Sequence, residues 1–364
     1  MTIKQITDQI EKLAPLSYAE DFDNVGLLVG SFQTKVKGIL VTLDTLEETI
    51  DEAIEKNCNL IVSFHPIVFK GLKRFNGNNY VERVVIKAIK NDIAIYATHT
   101  ALDNTYLGVS AKMAEMIGLT NTKVLIPQKG IIKKLITYVP EKDADKLRKV
   151  LFDAGAGNIG NYDQCSFNIQ GKGTYRGNEN SNPSVGEKGK LHVESETMIS
   201  VIYEKHQEEN ILRSLFEYHP YEEVAYELLS LDNAHQNIGM GMVGEFEKER
   251  DIETFFKDLK QLFGLKIIRH SALCKNKIKK VAVLGGSGAF AIEQAKRAGA
   301  DIFITADLKY HDFYTAENQI VLADIGHYES EQFTKNLLVD YLTKKITNFA
   351  IILSKKNTNP INYI

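Results

Sequence analysis

The stretch Gly38–Pro66, GILVTLDTLEETIDEAIEKNCNLIVSFHP, decides the fold. Two apolar runs, GILVTL and NLIVSF, flank a segment with Leu46, Ile50, Ala53 and Ile54 at helical spacing, so the stretch reads strand, helix, strand. Asp44 or Thr45 is the expected N-cap, with acids in the first turn, where the helix dipole favours them. Strands without polar alternation suit a sheet covered on both faces. The rhythm continues into another helical segment and the apolar run Ile93–Ala97, which makes the opening third of the chain a series of βαβ units.

A second passage of the same kind begins at Lys279. KKVAVLGG, the helical AFAIEQAKRAGA, the strand DIFITAD and then QIVLADIGHYESE repeat the order strand, helix, strand, strand. In this overlay Asn59 falls on Asp301 and His65 on Asp307, while His99 with Asp103 lies opposite His327 with Glu331. Between the halves the pattern changes to KKLITYVP, EKDADKLRKVLFDAG, CSFNIQGKGTY, ESETMISVIYEK, QEENILRSLFEYH and EVAYELLSL. Its order, β-α-β-β-α-β, is that of a ferredoxin-like α+β sandwich. GNENSNPSVGEKGK (Gly177–Lys190) reads as a long loop between its two central strands. The expected architecture is therefore a duplicated α/β core, residues 1–130 and 232–364, interrupted by an α+β domain at 131–231. NIGMGMVGEF (Asn237–Phe246) leads back into the core.

The 364 residues carry 44 basic and 47 acidic side chains, a net charge of −3, and 44% are apolar. That is a globular composition, with length for two or three domains and no cationic field to attract nucleic acid or an anionic membrane. Neither partner is expected, and the basic clusters LKRF (Leu72–Phe75) and KKNTNPINYI (Lys355–Ile364) read as solvated faces. Cys58, Cys165 and Cys274 are odd in number and far apart, which fits neither a disulfide framework nor a CxxC zinc site. With no apolar secretory segment after Met1 and no membrane-length apolar run, a cytoplasmic location is expected.

His65 follows a strand directly and is held extended by Pro66, at the sheet edge where open α/β folds bind ligands. Asp103 stands four residues after His99, and Glu331 four after His327, so each pair points the same way if its segment turns helical. Each pair alone would suit a local hydrogen bond or cap. Three strand ends together offer mixed nitrogen and oxygen ligands of the kind that suit zinc, manganese or iron. GGSGA (Gly285–Ala289) reads as a tight structural turn or a backbone cradle for an anion. Asp307 and His311, in DLKYH, are candidates to support the ligands or shuttle protons, against ordinary surface hydrogen bonding.

Together FDNVGLLVG, SFHPIVFKGL, HTALDN, GGSGA, TADLKYHDF and GHYESE, in this order and around a β-α-β-β-α-β insertion, resemble the Nif-three-like family of dinuclear metal-centre proteins. Members of that family are commonly called GTP cyclohydrolase 1 type 2 homologues. The resemblance spans essentially the whole chain and implies a two-metal site, a toroidal homohexamer and an insert similar to the PII and CutA type. It also implies that Asn24 faces the same sheet edge. The family's ligands are two adjacent histidines before the proline, the aspartate of HTxxD, and the histidine and glutamate of GHxxSE. Here those positions hold Phe64 and His65, Asp103, then His327 and Glu331. Phe64 replaces one ligand, leaving His65, Asp103 and Glu331 for one ion and His327 with a bridging Glu331 for a second. The expected cofactor is one or two divalent ions per chain, zinc first, then manganese or iron.

The function implied is a metal-dependent hydrolase acting on a nucleotide or another small polar substrate, its identity unknown, with His99 or His311 moving protons. In the family His99 is a neighbour of the metals and not a ligand. The alternative is a hexameric metal-binding or regulatory scaffold without turnover, in which the insert senses a small ligand.

Overall fold

The computed structural model describes residues 1–364 as two compact units, one made of Met1–Pro127 and Asn237–Ile364, the other of Gln128–Gln236. The first unit holds two sheets. In one the strand order is Gly26–Val29, Ala94–Ala97, Leu60–Ser63, Ile39–Thr42, Ile351–Leu353. Gly26–Val29 runs antiparallel to its neighbour and every other pair is parallel. All residues of the three central strands are buried, because helices cover both faces. On one side Ile3, Ile6 and Ile10 meet Leu338 and Leu342, and on the other Ile50, Ala53, Val84 and Ala88 pack together. Burying each large aliphatic side chain contributes about 1.5–3 kcal/mol.

The second sheet has the order Arg269–His270, Val321–Asp324, Ile302–Ala306, Lys277–Ser287, Gly239–Asp251, Thr120–Pro127. Its middle pairs are parallel in the same relation as Ile39–Thr42, Leu60–Ser63 and Ala94–Ala97. The likeness of the halves extends to single hydrogen bonds. Asn59 Oδ1 accepts the Lys37 N–H at 2.7 Å, and Asp301 Oδ2 accepts the N–H groups of Lys279 and Lys280, both at 2.8 Å. In each half the last parallel strand leads into a five-residue helix, His99–Asp103 or His327–Glu331.

One local expectation needs correction, and two others gain detail. The helix after the first parallel strand is Glu47–Glu55 with Leu46 at its cap, and the Thr49 hydroxyl accepts the Leu46 N–H. Neither Asp44 nor Thr45 caps it, since the Asp44 carboxylate is engaged elsewhere. NIGMGMVGEF does lead back into the core, as part of the long strand Gly239–Asp251 between Lys277–Ser287 and Thr120–Pro127. The Lys-rich tail leaves most of its side chains exposed, Lys355 among them, yet it is docked at defined points. Ile351–Leu353 adds a parallel strand to the first sheet, the Lys355 N–H donates to Glu52 Oε1 at 3.0 Å, and the Thr358 hydroxyl donates to Asp44 Oδ2 at 2.6 Å. Backbone pairing overrides the polarity of the side chains.

In the second unit Ile132–Pro140, helix Ala144–Asp153, Phe167–Tyr175, His192–Glu204, helix Glu208–Tyr218 and Tyr226–Ser230 follow one another. The sheet is antiparallel throughout, in the order Phe167–Tyr175, His192–Glu204, Ile132–Pro140, Tyr226–Ser230. Both helices pack on one face, against Leu135, Val139, Ile199 and Val201. All three cysteines are free thiols, and no helix of the chain is long and apolar enough to cross a membrane.

Candidate metal centre

His65 lies two residues beyond the strand Leu60–Ser63, where its N–H donates to the Leu43 carbonyl at 2.9 Å and its own carbonyl accepts the Ser63 hydroxyl at 2.8 Å. His327 opens its short helix after Gly326, whose φ of +91° lets the chain turn sharply from strand to helix. Glu331 comes one turn later on the same face.

These three residues converge. His65 Nε2 is 3.0 Å and His327 Nε2 is 3.1 Å from Glu331 Oε2, and the two nitrogens are 3.4 Å apart. A tetrahedral ion with ligands at about 2.0–2.1 Å separates its donor atoms by about 3.3 Å. Each imidazole turns its other nitrogen to a carboxylate: His65 Nδ1 lies 2.7 Å from Asp44 Oδ1, and His327 Nδ1 lies 2.7 Å from Asp307 Oδ2. That pattern fixes the rings and directs the Nε2 lone pairs at the centre, as in carboxylate–histidine–metal triads. Glu331 is 4% exposed, and its Oε2 is buried without a hydrogen bond of good geometry despite the two nearby nitrogens. A buried carboxylate oxygen in that position is complementary to a cation, and the His-His-Glu cluster could hold a metal ion.

Without an ion the cluster holds protons instead. Burial works to lower the His65 pKa, but Asp44 and Glu331 raise it to about 10. Burial opposes the His327 charge likewise, while Asp307 and Glu331 lift that pKa to about 11. Glu331 is pushed up by burial and pulled down further by the two imidazoles, to about 2. Asp103 is raised well above the ordinary carboxylate range, first by burial and then by the charge of Glu331.

The other expected residues are placed differently. Asp103 lies outside the converging trio, although it feels the charges of Glu331, His65 and His327. His99, with φ +26°, directs Nδ1 to Asp23 Oδ1 at 2.7 Å, and its ring stands 5.4 Å from that of His65. Asp23 Oδ2 also accepts the Thr100 N–H at 3.0 Å. His311 is exposed on the segment Tyr310–Ala316 between the rings of Tyr310 and Tyr314, with no hydrogen bond to the cluster. Asn24 donates to the Val68 carbonyl. Phe64 is fully buried, its ring 4.9 Å from His65 and 5.7 Å from His99.

Asp44 and Asp23 were not among the expected site residues. Asp44 lies two residues beyond the first parallel strand, Ile39–Thr42, at the same sheet edge that singles out His65, and that position was the available signal. GGSGA is not a tight turn: Gly285–Ser287 end the strand Lys277–Ser287, and Ala289 opens the short helical segment Ala289–Ala291. A Cβ on Gly286 (φ +67°) would stand 2.3 Å from Glu331 Oε1, and the Gly286 N–H donates to the Ser330 hydroxyl at 2.9 Å. The backbone is thus pressed against the metal-type carboxylate, and the helix that follows, Ile292–Arg297, is only six residues long.

Fold and cluster together define a two-sheet α/β protein with a histidine–carboxylate centre of metal-binding type between the ends of its parallel strands. Residues 1–360 match the family model described as DUF34/NIF3 (NGG1p interacting factor 3), and the chain belongs to that family. It is 34% identical to the GTP cyclohydrolase 1 type 2 homolog of Bacillus subtilis, covering 99% of this chain and 98% of the relative. The Staphylococcus aureus protein of that name is 32% identical over the whole of both chains. Among solved structures, a Bacillus cereus protein related to NIF3 superposes with a TM-score of 0.86 at 35% identity, covering 100% of this chain and 99% of the other.

Proposed function

We propose that the chain is a metal-dependent hydrolase acting on a nucleotide or another small polar molecule, with one tightly held divalent ion per chain, zinc in the first instance and manganese or iron otherwise. The observation that carries this reading is the buried Glu331 Oε2 at 3.0 and 3.1 Å from two carboxylate-backed imidazole nitrogens, with no hydrogen bond of good geometry to either. His65, His327 and Glu331 would hold the ion, with Asp103 as the nearest further carboxylate. A divalent ion in such a place supplies a Lewis acid and lowers the pKa of a water to about 7.

The remaining chemistry belongs to the chain. Asp44 and Asp307 keep both imidazoles in the tautomer that offers Nε2. His99, oriented by Asp23 and next to the cluster, is placed to exchange a proton with a bound substrate, a role for which the exposed His311 is poorly placed. Phe64 occupies the position of a family ligand with an apolar ring, which supports one tight ion in place of two. The relatives' name points to GTP, for which water addition at C8 would open the purine ring. We assign the segment Gln128–Gln236 as an inserted ferredoxin-like domain of the PII/CutA type, and the working assembly as a homohexamer.

The test is metal analysis of the purified protein followed by a metabolite-depletion screen, each run with and without chelator. Depletion of one metabolite that stops on chelation and returns with metal supports the hydrolase. Stoichiometric metal with no metabolite consumed favours a regulatory scaffold.

A further inference from the structure

The second unit contains a cavity of about 630 Å³, the size of a small-molecule site. We propose that it binds a small organic cation, an ammonium or amidinium carried on a flat apolar body, in a site separate from the metal centre. The cavity arises from the strand Phe167–Tyr175, FNIQGKGTY, at the edge of the sheet. Ile169 pairs with Met198, which in turn pairs with Tyr138, so these three share the face opposite the helices and form an apolar floor. The next positions on that face are Gly171 and Gly173. A Cβ on Gly171 would meet nothing within 4 Å, whereas one on Gly173 would fall 2.0 Å from Glu196 Oε2. Glu196 therefore occupies space that a side chain at residue 173 would take.

Two tyrosines complete the box, with Tyr175 and Tyr221 edge-to-face at 5.8 Å between ring centres. Their hydroxyls are committed. Tyr175 donates to the Val185 carbonyl at 2.8 Å, tying down the loop 177–190, and Tyr221 donates to Glu196 Oε1 at 2.8 Å. The Asn182 N–H donates to Glu222 Oε1 at 2.6 Å and joins that loop to the segment after helix Glu208–Tyr218. What the tyrosines leave for a ligand is ring surface, which attracts cations. Burial and Glu196 together raise the Tyr221 pKa, so the phenol stays a neutral donor. The second oxygen, Glu196 Oε2, engages no protein donor and supplies the charged acceptor.

Lys172 and Arg176 also line the cavity, and they are the reason to ask whether an anion fits better. Both are exposed to water, whereas Glu196 is partly buried among the rings, and Glu222 and Glu223 stand nearby. The low-dielectric position belongs to the carboxylate, so the cation should win.

The experiment titrates the full-length protein with benzamidinium and, separately, with benzoate, a flat molecule of similar size and opposite charge, by calorimetry and ligand-observed NMR. Benzamidinium should bind in the millimolar range or tighter and benzoate detectably less. Glu196→Gln keeps an acceptor for Tyr221 but removes the charge, and should weaken benzamidinium by about 10-fold or more. Gly171→Leu should fill the cavity and abolish binding while metal content stays unchanged; if that variant does not fold, Glu196→Gln alone decides. Benzoate binding as well as benzamidinium, an unchanged affinity in Glu196→Gln, or no benzamidinium binding at millimolar concentration would each overturn the proposal.

Discussion

Gly286→Ala should strip the centre of its metal. The new methyl would stand 2.3 Å from Glu331 Oε1, against an ordinary contact of 3.4 Å or more, so the carboxylate or the backbone must give by 1.1 Å. Coordination distances tolerate about 0.2 Å. Metal affinity should therefore fall by at least the roughly 10–100-fold that losing even an outer-shell partner costs. The substitution also forces a side chain into left-handed backbone, which costs about 1–2 kcal/mol. Gly264 separates the two effects, because its φ of +68° nearly equals the +67° of Gly286 and a Cβ there meets nothing within 4 Å. Gly264→Ala should carry the backbone penalty alone. For chains of 150–250 residues, 1 kcal/mol lowers Tm by about 2–4 °C, so each variant should lose a few degrees as apo-protein. The assay is competition for zinc against a chromophoric chelator, with a thermal melt alongside. Equal zinc affinity in Gly286→Ala and Gly264→Ala would refute the view that this glycine exists to seat Glu331.

Further tests probe the surroundings of the cluster. Asp44→Asn and Asp307→Asn should each weaken metal binding by about 10–100-fold with the fold intact, and unchanged affinity would mean that the Nδ1 partners do not matter. Phe64→His should raise the metal content toward a second ion per chain, read by elemental analysis; no increase would mean that a residue-64 ligand cannot reach the site. His99→Asn should keep its metal while turnover of the substrate found by screening falls by about 10²–10⁴-fold, and an unchanged rate would remove His99 from the chemistry. In the second unit, burial lowers the His219 pKa from 6.5, and the neutral ring accepts the Tyr221 N–H at Nδ1, 3.1 Å away. The unfolded segment takes up a proton more readily, so this contribution is complete above pH 6.5 and is lost as pH falls toward the lower folded value. Amide exchange of Tyr221, corrected for the intrinsic pH dependence, should accelerate below that pH.

What the sequence makes legible is what local pattern controls. GILVTL and NLIVSF are apolar throughout because both faces of their sheet are covered, and the four-residue spacing of His327 and Glu331 becomes a shared face once Gly326 starts a helix. Asp44 is harder to read. A cap for the helix that follows explains it just as well from local sequence, and its partners His65 and Thr358 lie 21 and 314 residues away. His311 illustrates the reverse case. Its four-residue spacing from Asp307 promises a common face only in a helix, but Asp307 has φ +56° and the helical segment starts at Tyr310, which sends the imidazole to the surface. The tail hides its place because backbone groups and Thr358 dock it, and neither leaves a hydrophobic signature. Asp23 was within a motif already singled out, yet only the folded approach of Thr100 and His99 gives it a role.

The pairing of Ile351 with Ile39 bears on how the molecule comes into being. A ribosome releases the N-terminal βαβ segments long before Ile351–Leu353 exists, so the nascent sheet waits with the edge of Ile39–Thr42 open and its Asp44 without Thr358. Contacts of such sequence separation form late and slowly, and an uncovered hydrophobic strand edge invites association with other chains. The insert can fold meanwhile on its own local contacts. The His-His-Glu cluster, which joins His65 to His327 262 residues further along the chain, is assembled only after Glu331 has been made.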